Sequence, residues 1–510
     1  MRGLQGKQVG PSPGLRPTSP RFARRGFFAV MMCFASSAQA ETPLVERVQE
    51  IKLANGMVWL VVERPEAPLF TGYVRVRVGG ADEAPGATGL AHLFEHMAFK
   101  GTPKLGAKDW AAEQPLMIEL QKVGDALALM QRQGTAGSEE GKKLAAKVLE
   151  LQKRHGLLFD ENALARLYQV NGGVGLNATT DKDMTSYFVS LPKNRLELWL
   201  TVEAQRFAAP VLRDFYTERS VVQEERLRSI ETSPGGAMYE ELMQLAFVSS
   251  PYRWPTVGYA ADLAAMTWSG AQAFFDANYV ASNAVGCVVG DVSVEALRPL
   301  LEKTFGHLPL AARPAGPVFS EPPARAQRRS ALTFDAAPRL MMAFRKPSPP
   351  ARDDFVFDVM QVLLDEGNTG RLQQRLVFKD RLAQGVGVFT GPGIRLDNLF
   401  IISVTPMAGV KTEQVEAAIW DELNRLATEK ASELELQKVR NRVTADLARS
   451  IESNSGLASA LSRAQTLIGD WRYVIDTPKV IEQIDAAEVQ AAARRYFVKE
   501  NSLIVTLVRP

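Results

Sequence analysis

One pattern occurs twice in this 510-residue chain. Near the middle, Tyr279-Val280-Ala281-Ser282-Asn283-Ala284-Val285 runs into the apolar stretch Gly286 to Val289. At the C-terminus, Phe497-Val498-Lys499-Glu500-Asn501-Ser502-Leu503 runs into Ile504 to Leu507. Each copy follows a helical pattern that ends in aromatics (Phe274-Phe275 and Tyr496) and finishes as an apolar strand. An internal repeat constrains the fold strongly, because both copies must occupy the same place in one structural unit. The reading is α+β, with two similar halves of sheet packed with helices. Ala311 to Arg329, rich in Pro and Arg and without apolar periodicity, is the natural linker. The expected halves are residues 41–315 and 325–510.

Composition bounds where the chain works. The formal charge of +3 is misleading, because residues 1–40 hold six basic side chains and no acidic ones, and without them it becomes −3. A mildly acidic body gives no reason to expect nucleic-acid binding. Those 40 residues read as a secretion signal: a basic segment Arg21 to Arg25, an apolar run Gly26 to Phe34, and a small-x-small site Ala38-Gln39-Ala40. Cleavage is expected after Ala40, giving a periplasmic or secreted protein with no membrane span. Cys33 leaves with the signal, so Cys287 is the one mature cysteine. Any metal must then be held by His and carboxylate groups.

Along the mature chain, Glu46 to Leu53 and Met57 to Glu63 read as strands joined by the hairpin turn Asn55-Gly56. Tyr73 to Val78 alternates like a half-buried strand. Residues 116–168 read as a helical hairpin broken at Gln133 to Ser138. Gly172 to Gly175 opens another strand region, continued by Ser186 to Leu191. Helical patterns follow over Asn194 to Arg206 and Asp214 to Glu231.

The chain has four histidines. His92 and His96 stand four apart with Glu95 between them, so on a helix all three share one face. That is what a zinc ion takes from one helix: two imidazole ligands and a nearby carboxylate base for water. His155 and His307 have no such company and read as surface or packing residues. A catalytic zinc site also needs a third protein ligand. Glu218, Glu224 and Glu225 cluster on one helix, and spacing alone leaves Glu224 and Glu225 unseparated.

The stretch from Gly89 to Thr102, containing His92-Leu93-Phe94-Glu95-His96, resembles the signature of the pitrilysin/insulinase/mitochondrial processing peptidase family of inverzincins. Glu218 to Glu225 resembles that family's second motif. The resemblance implies two homologous halves forming half of a clam-shell chamber, with an inactive C-terminal half. It makes Glu225 the third Zn²⁺ ligand beside His92 and His96, and gives Glu218 a supporting catalytic role. Gly175 to Thr179 resembles the family's edge strand, so Asn177 and Ala178 are expected to bind an extended peptide by backbone pairing. Two departures stand out. The interval from His96 to Glu225 is long by about the size of the helical hairpin. In the C-terminal half, Val377 and Gln384 stand where competent members carry an arginine and a tyrosine, with Arg375 and Arg381 nearby.

The resulting expectation is a zinc endopeptidase with Glu95 as general base. It is expected to pair with a homologous subunit lacking HxxEH, a homodimer being the other arrangement. The alternative is a non-catalytic peptide-binding or scaffold subunit, which has no reason to keep His92, Glu95, His96 and Glu225. A non-haem iron site also uses two His and one carboxylate, but the Glu between the histidines favours hydrolysis. No nucleotide-binding glycine motif supports an oxidoreductase.

Overall fold

The computed structural model describes residues 43–510, so the expected signal segment lies outside the described residues. The first half builds a six-stranded sheet from β1 (Gln49–Lys52), β2 (Val58–Glu63), β3 (Leu69–Val76), β4 (Val174–Thr180), β5 (Thr185–Pro192) and β6 (Ala284–Gly290). The second builds five strands: β7 (Arg328–Thr333), β8 (Arg339–Lys346), β9 (Ala383–Gly391), β10 (Asn398–Pro406) and β11 (Ser502–Val508). The spatial orders are β1-β2-β6-β3-β5-β4 and β7-β11-β8-β10-β9. Apart from β1, both run first, last, second, fourth, third. In each sheet only the first-to-last pair is parallel, β2 with β6 and β7 with β11.

The repeated sequence motif makes equivalent bonds in both halves. Asn283 donates from Nδ2 to Asn278 O and Arg77 O, at 3.0 and 3.2 Å. Asn501 donates from Nδ2 to Tyr496 O and Arg345 O, at 2.9 and 3.0 Å. Each Asn thus ties the end of a helix and the neighbouring strand to a short 3₁₀ turn before the last strand.

Several elements differ from the sequence reading. A short helix, Leu44–Arg47, replaces the start of the first expected strand. β3 is covered on both faces, not one. Arg75, polar in the alternation, is only 4% exposed and donates to Ser459 Oγ at 2.8 Å. The cover comes from the other half: helix Asn454–Leu467 lays Leu457, Ala458 and Leu461 on Leu60, Val62, Tyr73 and Cys287. In return, helix Pro234–Ala246 lays Met238, Leu242 and Met243 on Met341, Ile401 and Val505 of the second sheet. Both exchanged helices begin with a serine cap, Ser233 accepting from Gly236 N–H and Ser453 from Gly456 N–H.

The helical hairpin is formed by Trp110–Arg132 and Glu139–His155, followed by Ala163–Val170. It starts earlier than residue 116 because Asp109 caps it, accepting from Ala112 N–H at 3.1 Å. Helix Phe215–Arg226 continues through a wider π turn to Glu231. No helix among the described residues is long and apolar enough to cross a membrane.

Candidate metal centre

The helix Leu90–Met97 carries His92, Glu95 and His96. Its apolar face, Leu93, Phe94 and Met97, is buried in the first core, which turns the other face outward. Its start is held from an unexpected quarter. The buried Glu83 carboxylate accepts from Gly89 N–H at 2.9 Å and from Ala91 N–H at 2.8 Å, satisfying amides that a helix leaves open. Gly89 has φ 94°, and a Cβ there would meet Val257 O at 2.7 Å, so only glycine fits. Burial pushes the Glu83 carboxyl up to about 8 despite these two bonds.

Across from this helix stands Phe215–Arg226, bearing Glu218 and Glu225. Glu225 Oε2 lies 3.6 Å from His92 Nε2 and 3.7 Å from His96 Nε2. One ligand atom from each of the three residues lies within 4.8 Å of the others. Tetrahedral bonds of about 2.1 Å place ligand atoms roughly 3.4 Å apart. Two imidazole nitrogens and a carboxylate oxygen at this spacing therefore fit Zn²⁺. Glu224, one residue earlier, is exposed and outside the cluster.

Glu218 is within reach of the ring of His96, its Oε2 lying 3.1 Å from Nδ1. With Nδ1–H as the donor, Nε2 is left free as the ligand atom. Lys100 Nζ holds the other Glu218 oxygen at 2.6 Å. Burial alone would raise the Glu218 carboxyl, but the bonds to His96 and Lys100 outweigh it and bring it down to about 2. His92 is pulled down to about 4 by burial and by the adjacent His96, so it is neutral, as a ligand must be. Burial also lowers His96, yet the Glu218 bond and the charges of Glu225, Glu218 and Glu95 overcome it and the net shift is upward. His92 Nδ1 is buried and makes no hydrogen bond.

Burial raises the Glu95 carboxyl above its ordinary value, opposed by hydrogen bonding from Thr180 and the charge of His96. A raised carboxyl is what proton uptake near neutral pH requires. Thr180 ends β4, the edge strand, which pairs on one side only with β5. Asn177 and Ala178 lie on that edge, and Asn177 Oδ1 accepts from Ala178 N–H at 2.9 Å. The centre opens on a cleft of about 550 Å³ lined by His92, Thr180, Glu225, Arg228, Ser229, Thr256 and Val257. A neighbouring cleft of about 360 Å³ shares Thr180, Ser229, Thr256 and Val257 and is also lined by Tyr239, Trp254 and Pro392.

Sequence reasoning missed Glu83 and Lys100, whose partners lie on other segments. Of the two readings open for His155, surface or packing, the structure takes packing: it is fully buried against Glu113. In the second half, Val377 packs against the second core. Arg375 is engaged by Asp380 and, at 3.4 Å, by Asp421. Arg381 is exposed at φ 51°.

Two like halves, with an HxxEH helix facing a glutamate helix, define a two-halved peptidase fold. The family described as Insulinase (Peptidase family M16) matches residues 60–117 and 158–258, and the Peptidase M16 inactive domain matches 271–443. The chain belongs to this pitrilysin/insulinase family, in its two-domain form. It is 24% identical to zinc protease PqqE of Helicobacter pylori over 94% of this chain and 97% of that one. It is similar in fold to the crystal structure of a protease from Helicobacter pylori, with a TM-score of 0.75, 24% identity, and coverage of 90% and 99%. The periplasmic protease PqqL from Escherichia coli superposes with a TM-score of 0.68 and 16% identity, over 91% of this chain and 48% of that one.

Proposed function

We propose that this protein is a zinc-dependent endopeptidase acting on peptides or unfolded polypeptides. The convergence of His92, His96 and Glu225 within 4.8 Å, on a face shared with Glu95, carries this reading. Zn²⁺ held by these three residues supplies, when bound, a Lewis acid that activates water and polarises a peptide carbonyl. Glu95 takes the proton of the attacking water and returns it to the leaving amide nitrogen. Glu218 keeps His96 in the tautomer that presents Nε2. The peptide lies along β4, pairing with the backbone at Asn177 and Ala178 and displacing the Asn177 side chain from Ala178 N–H. Relatives that bear zinc protease names support the metal and the reaction class. The name of a periplasmic structural neighbour supports export.

In the same reading the chain is the zinc-bearing member of a heterodimer whose other subunit lacks HxxEH. Val377 and Gln384 in place of an arginine and a tyrosine support this division. The test of the chemistry is Glu95→Gln. It should retain one zinc per chain and lose peptide hydrolysis by at least two orders of magnitude, while His92→Ala loses both. Wild-type turnover by Glu95→Gln would overturn the assignment of the base.

A further inference from the structure

Residues 118–157 separate the two segments that match the family, and they make up most of the helical hairpin. The last residue of the hairpin's second helix is His155, and it is buried completely together with Glu113 and Arg213. Its Nε2 lies 3.0 Å from Glu113 Oε1. Nδ1 has no hydrogen-bond partner, so the ring is held through Nε2–H, which donates to the carboxylate.

Glu113 in turn holds Arg213, whose Nε and Nη2 donate to its two oxygens at 2.5 and 3.1 Å. The other three guanidinium hydrogens go to backbone carbonyls. Nη1 donates to Lys100 O at 2.7 Å and Leu105 O at 3.1 Å, and Nη2 to Thr102 O at 3.0 Å. All five donors of a buried arginine are thereby satisfied. The carbonyls belong to the loop leaving the helix of His92 and His96. Arg213 itself leads, through Asp214 at φ 56°, into the helix of Glu218 and Glu225. The side chain of Lys100, in that same loop, reaches Glu218, which meets His96.

We propose that the hairpin braces the metal centre, with His155 as a positioning residue. By fixing the Glu113 carboxylate it fixes Arg213, and through Arg213 the spacing of the two ligand-bearing helices. A carboxylate left without this donor turns in its pocket, and the guanidinium loses its bidentate partner. This inference rests on the zinc reading above, and the test separates the two. Zinc affinity of the purified full chain is measured by chelator competition, the Co²⁺ absorption spectrum reports ligand geometry, and thermal unfolding of the metal-free protein reports stability.

His155→Gln keeps a donor, whereas His155→Met fills the space without one. The methionine variant should bind zinc about tenfold more weakly, in line with outer-shell changes at metal sites, and shift the Co²⁺ spectrum. The glutamine variant should stay within about threefold of the native chain by the same measure. Equal zinc affinities and identical Co²⁺ spectra in the two variants overturn the brace. A methionine variant that loses folding without zinc, while glutamine does not, also overturns it in favour of a purely structural role. A native chain that binds no zinc defeats the zinc reading itself.

Discussion

A rotation of about 100°, one residue on an α-helix, separates Glu224 from Glu225. That rotation decides which of two adjacent carboxylates reaches the histidines. Glu225 faces His92 and His96, and Glu224 faces solvent. Glu225→Gln should therefore strip zinc from the purified chain, and Glu224→Gln should leave metal content unchanged, as read by elemental analysis after dialysis. The reverse result would shift the ligand by one residue. Glu218→Gln is a subtler lesion: it removes the charge that faces His96 and Lys100 but none of the three clustered side chains, and should weaken zinc by about 10–100-fold without abolishing one-to-one binding. His92, Glu95 and His96 were legible as residues because i, i+3 and i+4 spacing is local. Lys100 and Glu83 were not, since each acts on the site through a partner outside its own motif.

Among the elements, helix Glu433–Glu452 shows how a local cap and a distant ion pair share one side chain. Ser432 and Glu435 form a capping box, and Glu435 also takes Arg371 Nε at 2.8 Å. Burial raises the Glu435 carboxyl, but the bonds from Arg371 and Ser432 prevail and hold it at about 2, below its ordinary 4.5. A carboxyl depressed by folding stabilises above its unfolded value and loses that contribution as pH falls towards the folded one. Glu435→Gln should lower the urea midpoint at pH 7, and the gap from the native chain should close between pH 4.5 and about 2. A gap that stays constant over that range would assign the loss to packing. The capping box joins residues three apart, whereas the ion pair reaches an arginine 64 residues away.

For the molecule as a whole, the exchange of helices between halves is the dominant fact. Leu461 belongs to the second half in sequence but is fully buried on the first half's sheet. Leu461→Ala should cost about 2–5 kcal/mol and destabilise both halves in one denaturation transition. Two separate transitions would show that the exchanged helices do not couple them. The lone chain should cleave unstructured peptides feebly and gain at least tenfold in kcat/KM on adding a homologous subunit that lacks HxxEH. Full activity without a partner would sink the division between two subunits.

By itself the sequence determined what depends on neighbours along the chain: the helix with its three chemical groups, the turn at Asn55-Gly56, and the repeated helix-turn-strand that announced two halves. Periodicity also marked the strand at Tyr73 to Val78 and the helical stretches of residues 116–168, Asn194 to Arg206 and Asp214 to Glu231. Tertiary structure alone decided matters of contact between distant segments. It covered the second face of β3 with a helix more than 370 residues later in the chain. It buried His155 against Glu113 and Arg213, and it brought Glu225, not Glu224, within 4 Å of His92 and His96. The physical reason is range. Backbone propensity and side-chain spacing act within a few turns. Burial, ion pairing and ligand convergence depend on which surfaces the folded chain brings together, and alternation along one strand does not report a second covering layer.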